Sequence, residues 1–437
     1  MTSDGPQVAI SSTRAVTILR TTIAIVAGGI AAGLCAIMLD LLLHGVQHLA
    51  FGYDLVRTAT PESFLAGVTS ATPKRRFKAL ALCGLVAGFG WAALDRFGAP
   101  LVSIRAAVGP VHPGPAMPFA TTIAHALLQI VTAGLGSPLG REVAPREIAT
   151  LLASRLARSL SVHRDDLRLT LACAAGAGLA GIYSVPIGGA LFAIEVLLGR
   201  FSFKAALYAF TSSAIAAETA ALVLGRRHQY ELASFTVGAS LLGWSLLCGP
   251  LFGIAACLFG RLTAASALHT PQGWKRVPWC ILVFAGIGAA ACLFPALPGN
   301  GRGPTQLAFD GELGLRLAAA LLLLKVAAIA ASLRAGTAGG LLTPGLTIGA
   351  LMALPLGAVW SLFLPGLPPG ACAIVGAAAF LASSMAMPLT AVALAMEFTN
   401  AEPGTLLPLA LAVAGSCAAR HLCSTISCCQ PKRSKAR

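Results

Sequence analysis

The chain is poor in charged residues for its length. Only 11% of its 437 residues are Asp, Glu, Lys or Arg and 6% are aromatic, whereas 57% are hydrophobic. A soluble globular protein has about 25% charged residues, because water must solvate its surface. This scarcity of charge, with a mean hydropathy of +0.81, excludes an ordinary soluble domain and indicates that the lipid bilayer is the solvent.

Several motifs of soluble proteins are also missing. No Gly-rich loop ends in Gly-Lys-Ser or Gly-Lys-Thr, as a nucleotide-binding loop does. The 12 cysteines lack the spacing of metal ligands, so we predict no metal and no other cofactor. An intramembrane hydrolase is disfavoured because the membrane glutamates lack a partner that would activate water, and we predict that the protein is not an enzyme. The net charge of +15 lies in short loops and tails, which is typical of membrane flanks and not of nucleic-acid binding.

Long apolar runs recur along the whole chain. A helix needs about 20 apolar residues to cross roughly 30 Å of hydrocarbon. The clear runs are Thr21–Ala50, Ala79–Leu94, Phe203–Leu224, Phe235–Leu258, Trp279–Leu297, Leu315–Leu333 and Leu406–Ala419. They predict an all-α polytopic membrane protein.

Four further apolar segments are interrupted by Gly and Pro. They are Gly134–Pro145, Gly181–Gly189, Gly336–Leu354 and Gly376–Pro388. Such breaks belong where backbone is buried in protein or lines a cavity, because lipid cannot satisfy the freed backbone groups. A helix that begins inside the membrane presents unpaired N–H groups and partial positive charge, which together attract an anion. We therefore expect an anionic cargo.

An internal repeat connects two of the broken segments. Leu179–Pro186 begins with Leu-Ala, ends in Pro and is followed by Glu195, nine residues after the proline. Leu381–Pro388 has the same pattern and is followed by Glu397. A shift of 202 positions superimposes the two segments, which predicts a duplication. Broken helices of two such halves form the permeation site in many transporters, although the repeat alone does not distinguish parallel from inverted halves.

The repeat suggests a simple layout. A membrane domain at 21–427 would consist of a first half at about 21–225 and a second half at about 235–427. We expect residues 1–20 to form a short cytoplasmic N-terminus and residues 428–437 a short basic tail, with no soluble regulatory domain of the CBS type. The bias towards Ala, Gly, Leu and Arg favours a multi-pass protein of a bacterial inner membrane.

Three motifs resemble those of the CLC family of chloride channels and chloride/proton exchangers. Residues 140–142 resemble the start of its Gly-Arg-Glu-Gly-Pro motif, with Val143 and Ala144 in place of the second Gly and the Pro. Residues 340–344 resemble its Gly-x-Phe-x-Pro motif, with Leu342 for the Phe. Ala174–Glu195 is similar to its helix pair on the dimer-facing side. The resemblance extends over about 21–427.

The resemblance implies a CLC-like homodimer, in which each subunit has two inverted-topology halves whose broken helices meet at a mid-membrane anion site. Glu142 would be the gating glutamate, whose carboxylate competes with the anion for its site. The alternative is that Glu142 forms an ordinary ion pair with Arg141. The anion-binding segments would contribute Gly140, Arg141, Val143, Ala144, Gly340, Leu341, Leu342 and Thr343.

Two inner ligands of the family's anion site are replaced in this chain. The family's Gly-Ser-Gly-Ile-Pro motif corresponds to a segment in which Ala99 stands where the anion-coordinating serine is expected. Ser103, in a shifted register, is the candidate substitute. The late tyrosine that closes the inner side of the site corresponds to Cys423, which becomes a further candidate anion contact.

The residues for proton coupling also depart from the family pattern. Family exchangers carry an inner glutamate directly after the position of Glu195, and here that residue is Val196. Glu195 is the candidate for a proton path, or else it caps a buried helix end together with Glu397. We therefore favour chloride transport through a channel-like or weakly coupled pathway over a chloride/proton antiporter. A transporter of another inverted-repeat fold for an organic anion is a second alternative, and fluoride is another cargo within the family.

The remaining polar residues of interest are one lysine and a few histidines. Lys325 interrupts a run of Leu and Ala, and the family often has a basic residue there, near the inner vestibule, where it would concentrate anions. Alternatively, Lys325 extends its ammonium group to the membrane surface. We interpret His44, His48, His112 and His125 as interfacial or packing residues.

Overall fold

The computed structural model describes residues 5–52, 64–226 and 228–428. Within these ranges the protein has 17 α-helices and no strand. The expected basic tail lies outside the described residues, apart from Cys428, and so do residues 1–4 of the expected N-terminal segment. The first nine helices are α1 (Gly5–Phe51), α2 (Phe64–Ser70), α3 (Pro73–Phe97), α4 (Ile104–Val108), α5 (Phe119–Gly134), α6 (Val143–Ser159), α7 (Arg164–Tyr183), α8 (Pro186–Phe192) and α9 (Phe203–Leu224). The other eight are α10 (Ala239–Leu268), α11 (Arg276–Leu293), α12 (Arg302–Phe309), α13 (Leu315–Arg334), α14 (Leu342–Ser361), α15 (Pro369–Met385), α16 (Pro388–Thr399) and α17 (Leu406–Cys428).

Eight helical segments in the described ranges are long and apolar enough to cross a membrane. Seven of them contain or largely overlap the apolar runs predicted from the sequence, in α1, α3, α9, α10, α11, α13 and α17. The eighth is α14, which follows the Gly-rich break at 336–341 and is the most deeply buried of the eight. The all-α polytopic membrane fold is therefore confirmed, and the protein is an integral, multi-pass membrane protein.

Each half of the chain contributes one glutamate that caps a helix of the other half. Glu397, near the end of α16, reaches across to the N-terminus of α8. Its two carboxylate oxygens accept hydrogen bonds from the backbone N–H groups of Ile187 (2.9 Å) and Gly188 (2.7 Å). These N–H groups belong to the first turn of α8, where no intrahelical partner exists. Glu397 thus caps a helix of the other half.

Glu195 makes the reciprocal contact at the N-terminus of α16. Its carboxylate accepts hydrogen bonds from the backbone N–H groups of Leu389 (3.0 Å) and Thr390 (2.8 Å), and from the Thr390 hydroxyl (2.6 Å). The shift of 202 positions seen in the sequence relates both donors and acceptors of the two caps. The geometry supports the interpretation of the repeated glutamates as caps of buried helix ends.

Replacing Glu397 with alanine should destabilise the fold. The variant leaves two N–H groups of α8 without their charged acceptor, which should lower the free energy of unfolding by about 2 kcal/mol. Thermal melting in detergent measures the loss, and Glu195→Ala should lose a similar amount. Glu402→Ala, at an exposed position of the same half, is the control. A Glu397→Ala protein that melts with the control would contradict the capping role.

The two Gly-rich breaks meet each other directly. The backbone N–H of Gly140 donates to the carbonyl oxygen of Gly340, and the N–H of Gly340 donates to that of Gly140, both at 2.8 Å. This antiparallel bridge joins the segment before α6 to the segment before α14. Leu139 and Leu342 beside it are fully buried. The starts of α6 and α14 are therefore held side by side inside the protein, as the broken segments predicted.

A candidate anion site

Glu142 lies at the start of α6, and its carboxylate reaches the start of α14. Oε1 accepts a hydrogen bond from the backbone N–H of Leu342 at 2.8 Å. Oε2 accepts from the Tyr183 hydroxyl at 3.2 Å and, at a longer 3.4 Å, from the Thr343 hydroxyl. The residue is completely buried. Because a helix N-terminus carries partial positive charge, this position stabilises the carboxylate as it would stabilise a small anion.

The glycines of the two breaks make room for the carboxylate. A Cβ atom added to Gly140 or to Gly340 would overlap the carboxylate atoms of Glu142. Both positions must therefore lack a side chain for Glu142 to adopt this orientation. The first turns of α6 and α14 complete the surroundings, and the predicted residues that meet here are Gly140, Glu142, Val143, Ala144, Gly340, Leu341, Leu342 and Thr343.

Arg141 points away from Glu142. Its Nη1 donates to Oδ1 of Asp40 at 2.6 Å, and its guanidinium lies 5.4 Å from the centroid of the Tyr183 ring. Asp40 also lies 3.2 Å from Nδ1 of His44. Among the described side chains Arg141 is thus paired with Asp40, and the alternative of a Glu142–Arg141 ion pair is wrong. Asp40 was missed, although a single acid in the apolar run Thr21–Ala50 was a signal.

A polar cavity of about 50 Å³ opens next to the site, with room for a few waters. Tyr183 and Thr343 line it and also donate to Glu142, so these two side chains connect the cavity to the carboxylate. Two guanidinium groups, those of Arg141 and Arg302, face it together. The rest of the lining includes Leu43, His44, Gln47, Phe64, Ala133, Gln229, Tyr230, Gly299, Asn300 and Phe398.

Arg302 was also missed by the sequence analysis. It begins α12, and its Nε donates to the backbone carbonyl of Gln229 at 3.1 Å. Its charge and that of Arg141 lie close enough to interact, with Asp40 nearby. The two guanidinium charges of the cavity therefore face the Asp40 carboxylate and, while it is ionised, that of Glu142, so an excess of positive charge that favours anions arises when Glu142 is neutral.

Lys325 does not line a vestibule. Its Nζ donates to the carbonyl oxygens of Leu297 (2.5 Å) and Gly299 (2.6 Å), and the residue is 1% exposed. Both the vestibule role and the alternative of an ammonium group at the membrane surface are wrong, because the backbone carbonyls solvate the ammonium inside the protein. Lys325 instead holds the loop that brings Asn300 and Arg302 to the cavity.

Ser103 and Cys423 are not brought to the site. Ser103 is an exposed N-cap of α4, where its hydroxyl accepts from the N–H of Ala106 at 3.2 Å. Cys423 lies within α17, beside Cys257 of α10. Neither residue lines the cavity or is a described hydrogen-bond partner of Glu142. Both assignments came from aligning this sequence with the motifs of the family. In the structure, the helices that carry these two residues place their side chains away from Glu142 and the cavity.

Two histidines contact carboxylates, against the expectation that all are interfacial or packing residues. His44 contacts Asp40, as described above, and Nδ1 of His125 lies 2.9 Å from Oε2 of Glu147. Among the described residues there is no group of three or more His, Cys, Asp or Glu side chains that could hold a metal ion.

A family model described as voltage gated chloride channel matches residues 79–421. The chain belongs to this family. The resemblance stated from the motifs is thereby confirmed, and so is the prediction that the protein is not an enzyme, because members of the voltage-gated chloride channel family are transporters.

Bacterial relatives match over most of this chain. A protein named voltage-gated ClC-type chloride channel ClcB from Citrobacter koseri is 27% identical over 398 residues, which cover 87% of this chain and 94% of that protein. The protein of the same name from Escherichia coli O9:H4 is 29% identical over 373 residues, covering 80% and 86% respectively.

Solved structures share the fold. A slow cyanobacterial Cl⁻/H⁺ antiporter has a TM-score of 0.77 at 20% identity, with 92% of this chain and 95% of that chain covered. A CLC-type fluoride/proton antiporter has a TM-score of 0.68 at 17% identity, with 92% and 96% covered. These similarities show that the family fold extends over nearly the whole chain.

Proposed function

We propose that the protein transports chloride, or a similar small anion, across the membrane in exchange for protons, with Glu142 as the gate. The observation that carries the proposal is the position of the Glu142 carboxylate. It occupies one backbone N–H group and two hydroxyl groups that converge at the start of α14. The same donors would serve a halide once the carboxylate has moved away.

Protonation of Glu142 is the step that would free these donors. An ionised carboxylate accepts strong, charge-assisted hydrogen bonds, and a neutral carboxyl group accepts weaker ones. An anion arriving through the cavity, attracted by Arg141 and Arg302, then displaces the neutral side chain. Because the ionised Glu142 carboxylate and the anion compete for the same donors, the anion binds when Glu142 carries a proton, and this couples the two movements.

Support for exchange over the channel-like pathway comes from two sides. Two solved neighbours are described as proton antiporters, and the carboxylate of Glu142 lies inside the candidate site. The channel-like pathway stays as the second candidate because Val196 replaces the inner glutamate and the relatives are named chloride channels. The small volume of the cavity favours a single small ion over an organic anion.

The assembly and location belong to the same proposal. The similarity of Ala174–Glu195 to the family's dimer-facing helix pair supports a homodimer with one pathway in each subunit. The ClcB relatives are bacterial, which supports an inner-membrane location.

The decisive experiment is chloride efflux from liposomes that contain the purified protein, with internal pH recorded at the same time. We expect a chloride gradient to drive protons uphill in the opposite direction. Chloride efflux without proton movement would support the channel-like candidate. The absence of anion flux would refute the proposed function.

Replacing Tyr183 with phenylalanine should weaken anion binding. The variant keeps the ring, which packs edge to face against Phe398, and removes one hydroxyl donor of the site. We expect a loss of about 1 kcal/mol, which corresponds to a roughly fivefold weaker affinity for chloride. Calorimetric titration with chloride measures it. Tyr230→Phe, in the wall of the same cavity, is the matched control and should bind chloride as the wild type does.

A further inference from the structure

A second group of buried polar side chains lies between α5 and α6. Nδ1 of His125 is 2.9 Å from Oε2 of Glu147, and Nε2 of Gln129 donates to the same Oε2 at 3.0 Å. All three residues are less than a tenth exposed. A carboxylate and an imidazole in such surroundings are costly to keep for packing alone.

Three buried polar atoms around this group have no partner among the described residues. They are Oε1 of Gln129, Oγ1 of Thr122 and Nε1 of Trp91. Thr122 precedes His125 by one helical turn, and the Trp91 ring centroid lies 6.4 Å from that of His125. Buried polar atoms without a protein partner commonly bind water. The group is therefore suited to hold water molecules that can carry a proton.

The group lies on the opposite side of Glu142 from the cavity. The C-terminal ends of α1, α5 and α7 supply cavity residues such as Gln47, Ala133 and Tyr183. Glu142 is the N-cap of α6, which packs against α5 so that Glu147 meets His125 and Gln129, one to two turns before Ala133 at the cavity end of α5. Glu147 is five residues along α6, which places it about 7.5 Å further along the helix axis.

The charges that surround the pair are few. Arg146, the neighbour of Glu147 on α6, interacts with its charge and with that of Glu142. The helix α3 presents Trp91. Several charged groups of the other packed helices have partners of their own: Asp40 of α1 contacts Arg141 and His44, Asp166 contacts Thr21 and Lys204, and Arg168 donates to the carbonyls of Gly109 and Leu198.

We propose that His125 and Glu147 form a proton-binding site that exchanges protons with Glu142. The inference rests on the proposed function and supplies its proton route. One proton is shared between Nδ1 and Oε2, and a second, on Nε2 of the imidazole, brings the pair from one negative charge to zero. Transfer of that second proton through water neutralises the Glu142 carboxylate and returns the pair to its negative state, next to Arg146. The pair thus takes the place of the inner glutamate that is absent at Val196.

Two conservative variants test the site in the liposome assay described above. Glu147→Gln and His125→Gln keep side chains that can hydrogen-bond to Gln129. Each variant lacks one of the two groups between which the proton is shared, so neither can form the proton-binding pair. We expect proton flux driven by chloride to fall by about 100-fold in each, with chloride flux within a few-fold of the wild type. Glu195→Gln is the matched control, because it neutralises the rival inner carboxylate and should leave the proton-to-chloride ratio unchanged.

The outcomes separate this inference from the proposed function. A wild type without chloride flux refutes the proposed function. A wild type that moves chloride without protons, or variants that keep the wild-type proton-to-chloride ratio, overturn the proton site and leave chloride transport intact. Size-exclusion chromatography checks the folding of both variants, and if one aggregates the other decides. A role in packing alone would lower both fluxes in parallel and would also overturn the inference.

Discussion

Glu142→Ala is expected to abolish proton movement while chloride still flows. The substitution removes the carboxylate that occupies the donors of Leu342, Thr343 and Tyr183, so an anion finds the site permanently free. Without a group that alternates between proton and anion, nothing couples the two fluxes. In the liposome assay, proton flux should fall to the level of protein-free vesicles, and chloride efflux should lose its dependence on pH.

Gly340→Ala tests the same gate without removing the carboxyl group. The added methyl group would overlap the carboxylate of Glu142 in its present position, so the side chain must leave the site. We expect chloride efflux to become insensitive to pH, as in Glu142→Ala. The gating role would be contradicted if Glu142→Ala retained wild-type proton coupling. It would also be contradicted if both variants blocked chloride.

Asp40→Asn should produce the largest loss of stability. The variant keeps the size of the side chain and leaves the buried guanidinium of Arg141 without a negative partner. Breaking a buried ion pair in this way costs about 3–5 kcal/mol. The melting temperature of the purified protein in detergent should fall steeply, and chloride flux should fall with it because Arg141 also lines the cavity.

Two further variants test whether the loss of stability comes from the buried Asp40–Arg141 pair. Glu218→Gln removes the carboxylate of the exposed Arg226–Glu218 pair and should melt like the wild type. The double variant Asp40→Asn, Arg141→Gln removes both buried charges and should recover part of the stability that the single variant loses. If the double variant is no more stable than Asp40→Asn, the loss does not come from an uncompensated arginine.

The features that sequence predicts well here are those dictated by the bilayer. Apolar runs of sufficient length became spanning helices, and the Gly-rich breaks before Val143 and Leu342 became helix starts that face each other. Both follow from the cost of exposing backbone groups to lipid. The repeated glutamates were recognisable because Glu195 and Glu397 keep one register in both halves.

The partners of individual charged side chains were not predictable in this way. Arg141 is paired with Asp40, 101 positions earlier, and Lys325 is paired with backbone carbonyls, which have no signature in a sequence. Such choices depend on how helices distant in the chain pack together. Cys423 was misplaced for a related reason, since a motif register gives a position along the chain and not the face of the helix that carries it.

The reciprocal capping of α8 by Glu397 and of α16 by Glu195 affects the synthesis of the protein. The N–H groups of Ile187 and Gly188 cannot form their hydrogen bonds until Glu397 is synthesised, and Glu397 lies 210 positions after Ile187. At about 5–20 residues per second, a ribosome needs about 10–40 s to synthesise the intervening chain. During that interval the start of α8 has been synthesised without its acceptor. The first half therefore remains locally incomplete until the second half emerges, and a nascent chain arrested before α16 should be a preferred substrate for membrane proteases.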